Sequence, residues 1–265
     1  NQLLTDFQFG EAERQIHVFL WGEFCDWYIE MAKIRLRPTS RRGTSPLAVL
    51  VQVLETTIHL LHPFMPFITE EIWQNLARHL PPNEQRPDSI MIAPYPEVIE
   101  EAIDPRVEQE MELVMEIIRS IRNARSQFRI EPAKWIEAKV FYSDDQFTLE
   151  SHSQVIETLA KVRPLSILGD WEKKPRADNV LMLVVKGAEV FLPLAGMIDL
   201  DIERQRTRKD IEFSKKEVAR LETNLSNESF TSKAPPAIVE RERQKLTEFK
   251  DELERLKEKL AILNG

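Results

Sequence analysis

Trp21, Phe24, Trp27 and Tyr28 fall within eight residues, just ahead of Lys33, Arg35, Arg37, Arg41 and Arg42. Aromatic rings stack on bases and cations neutralise phosphates, which together is the chemistry of single-stranded RNA reading. Both features have structural alternatives. Large aromatics mostly fill cores, and a charge run is often only a solvated loop. Here the run Lys33–Gly43 contains no acid, although the chain carries a net charge of −8, which favours phosphate contact. Arg122 and Arg125, three apart near the end of a helical stretch, either complement the helix dipole or share a face for phosphates or a domain contact. Other chemistry is thin. His59 and His62 have metal-like spacing but no third ligand nearby, and read as satisfied or exposed histidines. The single cysteine, Cys25, excludes an internal disulfide and a multi-cysteine zinc site, and reads as a small buried apolar residue. There is no glycine-rich phosphate loop, no Gly-x-Ser-x-Gly and no paired metal motif, so the residues define no catalytic centre.

These side chains must be positioned by helices. Residues 10–36 show helical spacing at Ala12, Ile16, Phe19, Leu20, Trp27 and Ile34. A second helix spans 46–62, with Leu47, Leu50, Val51, Leu54, Ile58 and Leu61 on one side. His62-Pro63-Phe64-Met65-Pro66 breaks it, and a third helix restarts over 67–80, with Pro66 suited to its first turn. Residues 81–106 are proline-rich and read as a boundary. Val107, Met111, Val114, Ile118 and Ile121 then mark a long helix over 104–128. After Pro132 the period changes to two, which predicts a strand over 135–142. A helix over 151–163, a short strand at Leu165–Leu168 and a hairpin turning at Lys186-Gly187 complete a small α/β module.

The last third is organised by heptads. Leu200, Arg204, Thr207, Ile211, Ser214, Val218, Leu221 and Leu225 alternate at spacings of four and three, and so do Val239, Glu242, Leu246, Phe249, Leu253, Leu256, Leu260 and Leu263. Asn227, Pro235 and Pro236 interrupt the pattern, so two helices fold back antiparallel as an arm of roughly 40 Å. The polar seam residues Arg204, Thr207 and Ser214 cluster near its base, which predicts that the base packs against the α/β module or continues as a three-helix contact. Residues 198–265 hold 15 basic and 15 acidic side chains, so the arm is neutral and the body carries the whole −8. The expected fold class is mainly α: a helical bundle over 1–103, a small α/β junction over 104–196, and a C-terminal antiparallel coiled-coil hairpin over 197–265. No apolar run is long enough to span a membrane, and the N-terminus shows no secretory signal, so the expected compartment is the cytoplasm. The chain starts with Asn1 rather than Met, as a fragment or processed form would.

Three stretches carry a resemblance. Phe24-Cys25-Asp26-Trp27-Tyr28-Ile29-Glu30-Met31-Ala32-Lys33 resembles the aromatic helix in the anticodon-binding bundle of valyl-tRNA synthetases. Leu60-Leu61-His62-Pro63-Phe64-Met65-Pro66-Phe67-Ile68-Thr69-Glu70-Glu71-Ile72-Trp73 resembles the proline-broken helix pair of the class I synthetases for Val, Ile and Leu. Leu225-Ser226-Asn227-Glu228-Ser229-Phe230, with Lys233-Ala234-Pro235-Pro236 and Val239-Glu240, is similar to the tip of the valyl enzymes' C-terminal arm. One cysteine cannot make the zinc module that commonly ends isoleucyl enzymes, and leucyl enzymes lack such a terminal hairpin.

The resemblance implies a tRNA-binding C-terminal region of a valine–tRNA ligase, without its catalytic and editing domains. The fragment would need no cofactor, while the whole enzyme would use ATP with magnesium. Its partner would be tRNA(Val), with no DNA and no membrane, and it would act as a monomer. The bundle would contact the anticodon stem-loop through Trp27, Lys33, Arg35, Arg37, Arg41 and Arg42. The arm would reach the tRNA elbow through Arg204, Arg208, Lys215, Lys216, Arg220, Lys233, Arg241, Arg243 and Lys245. Arg204 has a competing role as a register-setting seam residue or junction contact. Lys215, Lys216 and Arg220 have one as partners of Glu212 and Glu217. The other function class is a structural coiled-coil adaptor for protein partners, which the neutral arm and acidic body favour.

Overall fold

Helical spacing, a proline break and a change of period set out the elements, and a computed structural model shows how they pack. It describes residues 2–37, 45–81, 86–142, 149–169, 180–227, 230, 232 and 234–264. These form two units, Asn1–Pro105 and Arg106–Gly265.

In the first unit α1 (Gln2–Thr5) leads into α2 (Phe9–Phe19). The backbone then widens into a π-helical stretch, Leu20–Ile29, before closing again as α3 (Glu30–Arg35). The helix expected over 10–36 is therefore continuous, but its middle holds more residues per turn. That shifts the inward face: Phe19 is 39% exposed, while Phe24 and Trp27 turn into the core. Next, α4 (Leu47–Leu61) packs on α5 (Pro66–His79), with Pro66 at the first helical position. Thr69, one turn into α5, donates to Met65 O at 2.8 Å and meets His62 Nδ1 at 2.7 Å, which ties the broken corner together.

The proline-rich segment does more than separate units. Its apolar run forms a 3-10 turn, Ile90–Ile92, and Ile90 packs with Ile58 and Trp73. Glu70 holds this turn by accepting from Ser89 Oγ at 2.8 Å and Ile90 N at 3.2 Å. Hydrogen bonds from Gln74, Ser89 and Ile90 keep the Glu70 carboxyl below its ordinary range.

The second unit is built on α6 (Pro105–Gln127). Val114, Ile117, Ile118 and Ile121 are fully buried, whereas Val107 stands 54% exposed, so the apolar stripe begins later than the sequence predicts. The helix ends in a Schellman turn. Arg129 takes a left-handed φ of 50°, with Arg129 N bonded to Ser126 O and Ile130 N to Arg125 O. Strand β1 (Ile136–Tyr142), α7 (Ser153–Ala160) and β2 (Val162–Leu168) form a parallel crossover. The hairpin of β3 (Val180–Val185) and β4 (Ala188–Pro193) turns at Gly187, whose φ of 80° suits glycine. Sheet order is β2-β1-β4-β3, with β4 antiparallel to both neighbours.

Asp199 caps α8 (Leu200–Ser226) by accepting from Asp201 N and Ile202 N. The returning helix is α9 (Pro236–Asn264), packed antiparallel on α8. Their pairing follows the predicted seam: Thr207, Ile211, Ser214, Leu221 and Leu263 are buried. Antiparallel register brings like heptad positions together across the pair, as in Glu203–Lys259 at 2.7 Å and Glu222–Lys250 at 2.8 Å. The mainly α fold with a small four-stranded sheet and a terminal helix pair is the one the sequence predicts.

The first unit also carries a pH dependence. His59, half-buried, packs on Trp73 with ring centres 4.9 Å apart. Arg86 lies 4.2 Å from the centre of the same indole and pairs with Glu55. Burial holds the His59 imidazole below its ordinary 6.5, so the unfolded chain binds its proton more readily than the fold does. Its stabilising contribution is present above that value and is lost as pH falls through the lowered one. The urea midpoint of the bundle, followed by tryptophan fluorescence, should therefore drop between about pH 7 and about pH 5, and His59→Gln should flatten part of that drop. An equally steep dependence in His59→Gln would refute this assignment.

Candidate nucleic-acid interface

Within the first unit, α3 ends in a basic turn that complements its dipole. Lys33 is exposed and pairs with Glu30 at 2.6 Å; Arg35 and Arg37 are exposed beside it. Arg41 and Arg42 lie outside the described residues. Trp27 corrects the sequence reading. It is only 7% exposed, in the core with Phe24, which is where its place on the helical stripe puts it, and a buried ring cannot stack on a base. The exposed indole of this stretch is Trp21, at 53%.

On the arm the predicted cations separate into three groups. Arg204 is the second correction: its Nε donates to Leu263 O at 2.8 Å, and Nη1 pairs with Asp201 at 3.0 Å. A guanidinium closing the end of α9 is a structural cap, a role apart from the register-setting or junction contact that its seam position suggests. Arg220 and Lys245 form the second group. Arg220 pairs with Glu217 at 2.9 Å and Lys245 with Glu242 at 2.7 Å. Glu217 raises the Arg220 pKa above its ordinary value, and the Lys245 hydrogen bond lowers that of Glu242. Third come Arg208, Lys215, Lys216 and Arg243, exposed, with side chains that make no ion pair with another described residue. Arg241 is exposed as well, beside Glu242. Lys233 lies outside the described residues.

The third group has a geometry that single-residue reasoning overlooked. Arg208 and Lys209 stand seven residues before Lys215 and Lys216, which puts all four on one outer face of α8. Meanwhile Glu203, Asp210 and Glu217 line the other flank, where Lys259, Arg129 and Arg220 neutralise them. The signal for Lys209 was present in the sequence as a basic pair repeated at heptad distance. A further cluster lies at the sheet edge. Parallel pairing of Ile136 with Val162 sets Trp135 beside Lys161, and Arg163, two residues on, shares that face. Lys161 and Arg163 sit 4.9 and 4.6 Å from the Trp135 ring centre. Chemically, these surfaces offer point charges and forked donors for phosphates. Among the described residues no group of three or more His, Cys, Asp or Glu could hold a metal ion, and no helix is long and apolar enough to cross a membrane.

Residues 1–140 match the family described as the anticodon-binding domain of tRNA ligase. The chain belongs to this family. That match takes in the whole first unit, α6 and most of β1. Residues 199–264, the two arm helices, match the valyl tRNA synthetase tRNA binding arm. Curated relatives of this chain are named valine–tRNA ligase. The protein from Dehalococcoides mccartyi strain CBDB1 is 41% identical over 256 residues, 97% of this chain and 29% of that protein. Those of Symbiobacterium thermophilum and Bacillus subtilis are 39% and 38% identical, each over 100% of the chain and 30% and 29% of their own length. The chain thus spans about three tenths of these relatives and corresponds to their C-terminal part.

The division of the arm cations gives a direct expectation. Arg204→Gln removes the cap on Leu263 O and should lower the stability of the helix pair by about 1 kcal/mol, read by circular dichroism on heating. Arg208→Gln, one turn further along an exposed face, should leave that midpoint unchanged within about 0.5 kcal/mol. Equal effects of the two changes would contradict the distinction.

Proposed function

We propose that this chain is the tRNA-binding C-terminal region of a valine–tRNA ligase. The bundle over 1–103 contacts the anticodon stem-loop, with Lys33, Arg35, Arg37, Arg41 and Arg42 on phosphates. The junction over 104–196 seats the arm, and the hairpin over 197–265 reaches along tRNA(Val) to its elbow. ATP and magnesium serve the catalytic part of the enzyme, which is cytoplasmic and monomeric, and this region supplies binding energy and position. The observation that carries the proposal is the unpaired basic face of α8, formed by Arg208, Lys209, Lys215 and Lys216 on an arm that matches the valyl tRNA-binding arm. Phosphates of a folded RNA present regularly spaced charge, and each neutralised phosphate releases counterions.

The mechanism is positional. A rigid arm holding one region of the tRNA and a bundle holding another fix the acceptor end without touching the reacting atoms, which lowers the entropic cost of the transfer step. Loss of arm cations should therefore appear in KM for tRNA.

The test uses the full-length enzyme. Replacing Arg208, Lys215, Lys216 and Arg243 with Glu should raise KM for tRNA(Val) about tenfold or more, and should reduce the slope of log affinity against log salt by about 3. Valine-dependent ATP–pyrophosphate exchange, which needs no tRNA, serves as the control and should persist. An unchanged KM and salt slope would overturn the assignment of this face.

A further inference from the structure

Lys259 is the least expected residue of the arm. It occupies a flanking heptad position in a helix whose other lysines are 39–52% exposed, yet its side chain is only 8% exposed and that of its partner Glu203 only 6%. The ammonium spends itself on three groups. It donates to Glu203 Oε1 at 2.7 Å and to the Gln127 carbonyl at 2.7 Å, and sits 4.9 Å from the centre of the buried Phe128 ring. One cation thus joins α8, α9 and the C-terminal turn of α6. Around it are two more directional contacts between the arm root and the body, Lys134 Nζ to Met197 O at 2.8 Å and Arg129 to Asp210 at 3.7 Å, while Arg206, within α8 itself, lies 3.6 Å from the second oxygen of Glu203 and holds that carboxylate in place.

Burying such a pair gains little net stability over apolar side chains of the same size, since desolvation offsets the attraction. What it does provide is direction: the bonds are satisfied in one arrangement of the three helices and broken in others. Direction matters more at this place than anywhere else in the unit, because the arm is a lever. A tilt of about 10° at the root of an arm roughly 40 Å long moves its tip by about 7 Å, more than the spacing between neighbouring phosphates of a strand. Packing constrains tilt less here than an all-aliphatic seam would, because the small side chains Thr207 and Ser214 alternate with Ile211 at the root.

We infer that the Glu203–Lys259 pair, bonded to the Gln127 carbonyl, is a positioning device that sets the angle of the arm to the α/β module and so places the arm's basic face on tRNA. The inference rests on the proposed tRNA-binding reading, but its angular part can be measured without RNA.

The test replaces the pair in the full-length enzyme by apolar residues of similar length, Glu203→Leu with Lys259→Met, and compares it with Lys259→Arg. Spin labels at Gln154→Cys on α7 and Gln244→Cys on α9 report the arm angle, both sites being exposed. The apolar double variant should melt no earlier than its parent, but its label-to-label distance distribution should broaden or shift by several ångströms. Its KM for tRNA should rise about tenfold, with kcat and ATP–pyrophosphate exchange retained. Lys259→Arg, which keeps the charge, should restore the narrow distribution and most of the KM. An unchanged distribution in the apolar variant would overturn the inference whatever happens to KM. Loss of melting temperature together with both activities would also overturn it, assigning the pair to folding alone. A changed distribution with unchanged KM would leave the angular role standing and count against the tRNA-binding reading of the arm.

Discussion

A two-helix hairpin buries a single stripe, so it cannot hold its own direction; something at its root must. In this chain that constraint converges on the last turn of α6. The same few residues close the helix through the left-handed Arg129, seal the sheet core with Phe128, and offer the Gln127 carbonyl to Lys259. Arg125, 7% exposed, completes the junction by donating to Lys161 O, Glu131 O and Pro132 O, the carbonyls of the segments entering β1 and β2. Burial lowers its pKa, yet a guanidinium remains charged there because carbonyl oxygens take its protons. Helix, sheet and arm are thus joined where backbone carbonyls left over from a helix end are satisfied by cations rather than water.

The placement of polar groups follows from this. Among the described residues of the second unit, the buried polar or charged side chains are Arg125 on α6, the pair Glu203 and Lys259 bonded to its end, and Thr207 and Ser214 in the seam of the arm. Towards the tip the seam is mostly apolar, with Val218, Leu221 and Leu225 on α8 and Leu246 and Phe249 on α9, and Glu242 as its one acid. The root is therefore specific and the shaft is merely cohesive. That division suits a lever: cohesion keeps two helices together along their length, and specificity is needed only where angle is set.

Much of this was legible in the sequence because periodicity is local. Heptads, the His62–Pro66 break, alternation in β1 and the Lys186-Gly187 hairpin need only a few neighbouring residues to declare themselves, and each appears where expected. Side-chain fates were less legible because they depend on partners far away in the chain. By residue type Trp27 could fill the core or stack on a base, and its 7% exposure decides for the core. Glu203 and Lys259 are 56 residues apart and look like ordinary surface charges on their own helices, and nothing near Lys259 in sequence announces Gln127, 132 residues away. The capping role of Arg204 could not be read from its own helix, since the carbonyl it bonds belongs to Leu263, 59 residues away.

Net charge illustrates the same point at the level of function. A neutral arm on an acidic body argues for a protein-binding rod if charge is counted by composition. Counted by face, the picture changes. On α8 the acids Glu203, Asp210 and Glu217 occupy the flank that meets α6 and the c and g positions of the pair, where Lys259, Arg129 and Arg220 cancel them. Arg208, Lys209, Lys215 and Lys216 repeat on the outer face, away from that flank, with Glu212 as the nearest uncompensated acid in sequence. Because screening in water confines each charge to about 8–10 Å, a phosphate approaching the outer face meets the four cations and not the neutralised flank. The same count of acids and bases can therefore build an inert rod or a one-sided electrostatic rail, and heptad position, not composition, decides between them.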